Sequence, residues 1–331
     1  MSQADQTLVE GSPKLRQLLS CIADDLSAVE QRLQSELHSR VPQVDEVVRH
    51  GYRLGGKRLR PALVLLAGQA TGELSDEHLT LAAVVEMIHT ATLVHDDVLD
   101  EAQLRRHEDT VNARWNNETS VLLGDFLFSH SFYLASTTGS AEACQTIGRA
   151  TNVVCEGEMQ QTLSEGDFGL SQADYLAIIT AKTAELCACC CELGARQSGA
   201  DDATIERLAS FGRNLGIAFQ IADDLLDLMS DEKATGKTTG ADLAKRKMTL
   251  PLIHARDALV NGPRANFVDL LESADLERIR AQVKLLGSLD YANRMATNYA
   301  RRAAADLAEL PANPALESLV GLANFAAART S

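Results

Sequence analysis

Apolar residues recur three and four positions apart along almost the whole chain, the period of a helix that buries one face. In residues 14–38 the stripe is Leu15, Leu18, Leu19, Ile22, Leu26, Val29 and Leu33. The same spacing predicts helices over 78–104, 119–138, 140–163, 172–197 and 203–230, and three or four more between 249 and 331. Gly139-Ser140 and the capping-box-like Ser171-Gln172-Ala173-Asp174 mark two of the breaks. Residues 1–12, polar and acidic, are expected to form a loose arm. Only 4% of residues are aromatic, which favours helix packed on helix over sheet. A length of 331 residues is a prior for two domains. No Pro-, Gly- or Ser-rich linker, solenoid repeat or change of composition divides the chain, so a single domain over 1–331 is expected.

Two stretches break the amphipathic pattern with acid. Leu93-Val94-His95-Asp96-Asp97-Val98-Leu99-Asp100 puts three carboxylates into an apolar helical run. Asp96 and Asp100 share a face one turn apart, and Asp97 lies about 100° round from Asp96. Like charges at that spacing destabilise a helix, so the run calls for a cationic partner. Ile221-Ala222-Asp223-Asp224-Leu225-Leu226-Asp227 repeats the spacing 127 residues later (223 − 96). Two copies of DDxxD in apolar surroundings are hard to explain as solvated faces. Mg²⁺ fits them: it takes one or two carboxylates and completes its shell with water and phosphate. Two such helices facing each other across a bundle would cage several Mg²⁺ ions and a diphosphate.

Charge narrows the partners. Lys and Arg number 31 against 46 Asp and Glu, a net −15, which disfavours nucleic acid. No apolar run nears the roughly 18 residues of a membrane span. The N-terminus has neither a basic nor an apolar leader segment. Seven Cys, four of them Cys187, Cys189, Cys190 and Cys191, lack metal-ligand spacing. They read as buried reduced thiols, which points to a reducing compartment, most simply cytoplasmic.

The cations are clustered. Gly55-Gly56-Lys57-Arg58-Leu59-Arg60-Pro61 combines paired glycines that let backbone approach an anion, three cations and a Pro suited to a first helical turn. Phosphate binding is expected there rather than a solvated turn. His89 lies two turns before Asp96 on nearly the same face; alone, such a His is usually a satisfied core residue. Arg105-Arg106 follow the first acidic run, either as charge pairs or as a phosphate clamp. Lys182, amid Ile178, Ile179, Ala181 and Ala184, needs a snorkelling route or an anionic partner. Gly236-Lys237-Thr238-Thr239-Gly240 with Lys245-Arg246-Lys247 reads as a basic flap. It is not a Walker A loop, because Asp231 stands where that motif's first Gly belongs.

In this order the motifs resemble the trans-polyprenyl diphosphate synthases, most of all those that make long chains such as octaprenyl and decaprenyl diphosphate. The likeness comprises GGKRLRP at Gly55–Pro61, HDDVLD at His95–Asp100, Arg105-Arg106, LLGDFL at Leu122–Leu127 and EGEMQ at Glu156–Gln160. It continues with KT at Lys182-Thr183, GIAFQIADDLLD at Gly216–Asp227, GK at Gly236-Lys237 and KMTLP at Lys247–Pro251. The resemblance implies an all-α fold, a single large helical bundle of the isoprenoid synthase type with a central active-site cavity, and a homodimer. It implies about three Mg²⁺ ions with substrate bound, with Mn²⁺ as a substitute, held by Asp96, Asp97, Asp100, Asp223, Asp224 and Asp227. It assigns Arg105, Lys182, Lys237 and Lys247 to the allylic diphosphate, such as farnesyl or geranylgeranyl diphosphate. Lys57, Arg60, His89 and Arg106 go to isopentenyl diphosphate, and Thr183 and Gln220 lie near the developing allylic cation. Two departures occur. His107-Glu108-Asp109 stands where the family has Gly, a variable residue, then a small residue or Pro. Arg246 replaces the usual Gly before Lys247.

The implied reaction is head-to-tail prenyl transfer. Cations neutralise the leaving diphosphate. The double bond of isopentenyl diphosphate attacks the allylic cation, and a proton is lost to the departing diphosphate. An apolar cavity keeps water from quenching the cation. The basic turn Lys57–Arg60 and the second full DDxxD disfavour a terpene cyclase, and retention of both acidic runs disfavours a non-catalytic synthase subunit. Ala91 and Thr92 are small where short-chain members tend to carry a bulky aromatic. They predict an open tunnel and a product of about C35 to C50, rather than farnesyl or geranylgeranyl diphosphate; on the helical wheel Thr92 lies closer than Ala91 to the face of Asp96. Phe128 or Phe132 would form the tunnel floor.

Overall fold

A computed structural model of the chain describes residues 13–229 and 240–328. The N-terminal stripe folds as α1 (Pro13–Leu18), a 3₁₀ turn at Ser20–Ile22 and α2 (Ala23–Glu36), not as one helix over 14–38. Next come α3 (Pro42–Arg53), α4 (Leu59–Thr71) and α5 (Asp76–Leu99). The helix predicted to reach 104 stops at Leu99 because Glu101 turns left-handed, φ 50°. The chain then reverses in a hairpin, β1 (Leu104–Arg105) pairing antiparallel with β2 (Glu108–Asp109). Arg106 and His107 form its turn, both with positive φ, as a two-residue hairpin turn of matching twist requires.

The chain continues through α6 (Val111–Arg114), α7 (Asn117–Thr137), α8 (Ala141–Leu163) and α9 (Gln172–Ile179). Asn116 caps α7 by accepting the Thr119 N–H at 2.7 Å. The helix predicted over 172–197 is interrupted by a π turn at Thr180–Ala184 before resuming as α10 (Glu185–Gln197). Beyond it lie α11 (Asp202–Met229) and α12 (Ala241–Ala244). Five helices, not three or four, complete the described chain: α13 (Leu250–Asp257), α14 (Asn261–Glu272), α15 (Leu276–Leu285), α16 (Ser288–Asp306) and α17 (Pro314–Ala328).

These elements gather into two compact units. Of the described residues, the first takes those within Met1–Arg149, Cys189–Ala209 and Leu310–Gly321, and the second those within Ala150–Ala188, Ser210–Glu309 and Leu322–Ser331. The first unit is built on α5, against which α2, α4 and α7 pack. Leu81, Val84, Val85, Met87 and Ile88 are all fully buried, so this helix is covered on every side. Close crossings depend on glycine. A Cβ on Gly194 would stand 2.1 Å from the Val64 carbonyl oxygen, and one on Gly124 would stand 2.0 Å from His95 Nε2.

In the second unit Ile179, Ile217, Ile221, Leu225, Leu250 and Ile253 belong to one core. The π turn sits between two glycines. A Cβ on Gly157 would come within 2.6 Å of the Lys182 nitrogen, and one on Gly216 within 2.5 Å of Ala184 Cα.

Gly194→Ala should therefore destabilise the fold by about 1–3 kcal/mol, because backbone must move. Gly148→Ala, facing open space in α8, should instead be neutral or gain up to about 1 kcal/mol of helix propensity. Urea midpoints of the two variants test this; equal midpoints would contradict the crossing.

Candidate active site

The basic turn between α3 and α4 is organised by Arg58. Its backbone is left-handed, φ 52°, and its side chain is buried. Arg58 Nε and Nη2 donate to Glu30 at 3.0 and 3.3 Å, and Nη1 donates to Glu86 at 2.7 Å. Tyr52 also donates to Glu30. Both glutamates are buried. Burial alone would lower the Arg58 pKa, but Glu86 and Glu30 more than offset it, so the guanidinium stays charged. The paired glycines now have a steric cause. A Cβ on Gly55 would lie 2.2 Å from Arg58 Nη1, and one on Gly56 2.3 Å from Arg106 Nη2. Arg106 donates to the Gly55 carbonyl. The glycines make room for two guanidiniums, whereas the sequence pointed to an anion.

Lys57 is exposed beside this turn, and Arg60 is half-buried in the first turn of α4. Among the described residues, Arg60 Nε is buried without a hydrogen-bond partner. His89 feels a ring of cations. Burial first, then Arg60, Arg105, Arg106 and Arg58, hold its pKa well below the ordinary histidine value. The imidazole is neutral at pH 7.

In the first acidic run, Asp97 is buried and gripped by Arg105. Nε donates to both carboxylate oxygens at 3.0 and 3.1 Å, and Nη2 to Oδ1 at 2.8 Å. Burial raises the Asp97 pKa even so. Asp96 and Asp100 are half-buried. Of the two adjacent arginines, Arg105 thus folds back on α5 and Arg106 on the glycine turn. Ala91 has no accessible surface, while Thr92 keeps some and donates to the His89 carbonyl at 2.8 Å. The Phe128 ring lies 6.1 Å from that of His95, and Phe132 is 37% exposed.

The second unit carries the other acidic run. Asp224 is buried, accepting from Tyr175 Oη at 2.6 Å and from Gln220 Nε2 at 2.8 Å. Gln220 Oε1 in turn accepts from Thr183 Oγ1 at 2.8 Å. Burial, then the nearby Asp242 carboxylate, push the Asp224 pKa up to about 8. Asp223 is exposed. Asp227 accepts the Ala241 and Asp242 N–H groups at 3.3 and 3.2 Å, capping α12. Lys182 finds the anionic partner it needs in Glu158, at 2.5 Å. With its amide turned so that oxygen faces the ammonium groups, Gln161 accepts from Lys182 and Lys247 at 3.1 Å each. A cavity of about 50 Å³ lies among residues that include Gln161, Tyr175, Gln220, Asp224, Asp242 and Lys247. Lys237 lies outside the described residues.

The donors suit Mg²⁺. They are carboxylate oxygens, the preference of a hard cation. Among the described residues, no three acidic, His or Cys side chains converge into a protein-only cage.

The two departures in sequence are conformational. His107 and Arg246 have φ of 66° and 57°, where a non-glycine residue costs about 1–2 kcal/mol. Glycine is the low-strain choice at both. Sequence reasoning missed Glu30, Glu86, Glu158, Gln161 and Tyr175. Glu86 left a signal, a lone acid within Leu81–Ile88; Tyr175 left none, since an aromatic beside Leu176 reads as core.

Fold and site together define an all-α protein with two carboxylate-rich helical runs and clustered cations suited to an anionic substrate. The family model described as polyprenyl synthetase matches residues 41–285. The octaprenyl diphosphate synthase of Escherichia coli K12 is 35% identical over 95% of this chain and 99% of its own. The all-trans-nonaprenyl-diphosphate synthase (geranyl-diphosphate specific) of Rhodobacter capsulatus is 38% identical over 93% and 96%. The crystal structure of a polyprenyl synthase from Caulobacter crescentus CB15, complexed with calcium and isoprenyl diphosphate, matches with a TM-score of 0.90. It is 40% identical and covers 96% of this chain and 98% of that one. The chain belongs to the polyprenyl synthetase family and is a prenyltransferase.

The His89 environment fixes a pH dependence. Its folded pKa lies below the unfolded value, so the unfolded chain takes up the proton first as pH falls. Its contribution is complete above about pH 6.5 and is lost below it. His89→Asn should flatten the loss of stability between pH 7.5 and about 5.5, read from urea midpoints. Parallel pH profiles for the variant and the native chain would refute the neutral imidazole.

Proposed function

We propose that the chain condenses an allylic diphosphate repeatedly with isopentenyl diphosphate, making a long all-trans polyprenyl diphosphate within one synthase domain. The carrying observation is near-full-length likeness to octaprenyl and nonaprenyl synthases in a chain that retains both acidic runs. A product of about C35 to C50 follows from the heptaprenyl to decaprenyl synthases that the chain resembles.

Mg²⁺ supplies Lewis-acid neutralisation of the leaving diphosphate when bound. Asp96, Asp97, Asp100, Asp223, Asp224 and Asp227 would hold it, with Asp97 and Asp224 braced from within the protein. Arg105, Lys182, Lys237 and Lys247 bind the allylic diphosphate. Lys57, Arg60, His89 and Arg106 bind that of isopentenyl diphosphate, and the buried Nε of Arg60 gains an acceptor there. Neutral His89 contributes an N–H without adding charge. Thr183 and Gln220 present oxygen near the allylic cation, and the proton leaves with the diphosphate. No protein nucleophile is required.

A homodimer belongs to the same proposal. Val121, Leu122, Phe132 and Tyr133 are exposed on α7 and fall within about a third of its circumference. An apolar stripe of that kind is an association surface. No described helix is long and apolar enough to cross a membrane. A cytoplasmic setting is supported by the free, buried Cys187, Cys189, Cys190 and Cys191.

Incubation with farnesyl diphosphate and excess isopentenyl diphosphate, followed by sizing of the dephosphorylated alcohols, should give chains of about C35 or longer. Products ending at C15 or C20 would replace this proposal with a short-chain synthase. Thr92→Phe should shorten the product while turnover persists.

Asp96→Ala and Asp223→Ala should each lower turnover about a hundredfold or more, with circular dichroism unchanged. Near-native turnover in either would remove the metal role of that run.

A further inference from the structure

Tyr175 stands outside every motif that marks the site, yet its hydroxyl reaches the second acidic run. The residue lies in α9 and is 4% exposed, with its ring in the apolar core of the second unit. Four side chains from three segments form a single file. Tyr175 Oη donates to Asp224 Oδ2 at 2.6 Å. Gln220 Nε2 donates to Asp224 Oδ1 at 2.8 Å. Thr183 Oγ1 donates to Gln220 Oε1 at 2.8 Å.

The file has a direction. Asp224 Oδ1 accepts the amide N–H whether the carboxyl is ionised or carries a proton on Oδ2, and Oδ2 accepts the phenol when Asp224 is ionised, as a bound cation would hold it. With its nitrogen spent on Asp224, Gln220 turns its oxygen to Thr183. With its hydrogen spent on Gln220, the Thr183 hydroxyl keeps lone pairs and no proton for whatever lies on its open side. A lone pair stabilises a developing cation; a hydroxyl proton does the opposite. The π turn that carries Thr183 lies in close backbone contact with Gly157 and Gly216, which fixes where the Thr183 side chain starts. Tyr175 terminates the file at the buried end and leaves Asp224 Oδ2 no other donor to seek.

We propose that Tyr175 is a positioning residue for prenyl transfer: its hydroxyl holds Asp224, which orients Gln220, which aims the lone pairs of Thr183 at the reacting allyl group. This rests on the functional assignment above, in which Thr183 and Gln220 flank the allylic cation. Tyr175 touches neither substrate nor metal in this scheme.

Tyr175→Phe isolates the effect, because the ring and its core packing remain and only the O–H is lost. In the full chain with Mg²⁺, kcat for the first condensation should fall about tenfold or more. KM for both diphosphates should stay within about threefold. The second reading is a double-mutant cycle with Thr183→Val. If Tyr175 acts through Thr183, the double variant should be scarcely slower than Thr183→Val alone. The third uses metal-free, substrate-free protein. The ¹⁵N side-chain amide resonance of Gln220, assigned by its loss in Gln220→Leu, should shift in Tyr175→Phe. Native kcat in Tyr175→Phe, multiplying effects in the cycle, or an unmoved Gln220 amide would each overturn the proposal. If Thr183→Val and Gln220→Leu themselves leave turnover intact, the functional assignment fails first and this inference with it.

Discussion

One buried guanidinium sets the geometry of the basic turn. Arg58 lies between Glu30 and Glu86, three charges away from water in the first unit. Removing it would strand two buried carboxylates, a loss of about 3–5 kcal/mol. The left-handed backbone at Arg58 falls at the N-cap of α4, where the chain turns into the helix with the Arg58 side chain buried. Gly55 follows because the guanidinium occupies the space of a Cβ, and Gly56 follows for Arg106 in the same way. Glu86 is three residues before His89 on α5, so the basic turn and the helix bearing the first acidic run share one anchor. The anchor also carries a surplus negative charge, two Glu to one Arg.

A different device serves the second unit. The π turn at Thr180–Ala184 changes the angular phase of successive side chains. Lys182 meets Glu158 and Thr183 meets Gln220, so neighbours in sequence serve separate partners. Gly157 and Gly216 let α8 and α11 approach the turn closely enough for both. The EGEMQ stretch, opaque as a sequence, supplies one of the two close approaches in Gly157 and the lysine's counter-charge in Glu158.

Periodicity exposed the helices because burial on one face imposes it. It failed where tertiary contacts end a helix. Nothing in Leu99-Asp100-Glu101 forbids another turn, yet the chain reverses so that Arg105 can reach Asp97. The acidic runs were legible because charge in an apolar stripe is expensive. Which cation turns inward was not legible: Lys57, Arg58 and Arg60 are alike in sequence, and Glu30 lies 28 residues from Arg58. The two departures at His107 and Arg246 each put another residue where the family pattern has glycine. Their positive φ shows that glycine is favoured there by backbone conformation.

The two acidic runs share a spacing but not an electrostatic state. In each, the second aspartate is buried while the first keeps accessible surface. Asp97 is met by a cation, Arg105, in a forked contact. Asp224 is met by neutral donors, Tyr175 and Gln220, with the Asp242 carboxylate near enough to add to the push of burial on its pKa. A charged partner compensates a buried carboxylate by Coulomb attraction; neutral donors compensate only by hydrogen bonds. The buried aspartate of the first run is therefore compensated by charge, and that of the second, pushed up to about 8, by hydrogen bonds from neutral donors. A repeated motif thus buries its second aspartate in two different ways, a difference created by Arg105 on one side and by Tyr175 with Gln220 on the other rather than by the aspartates themselves.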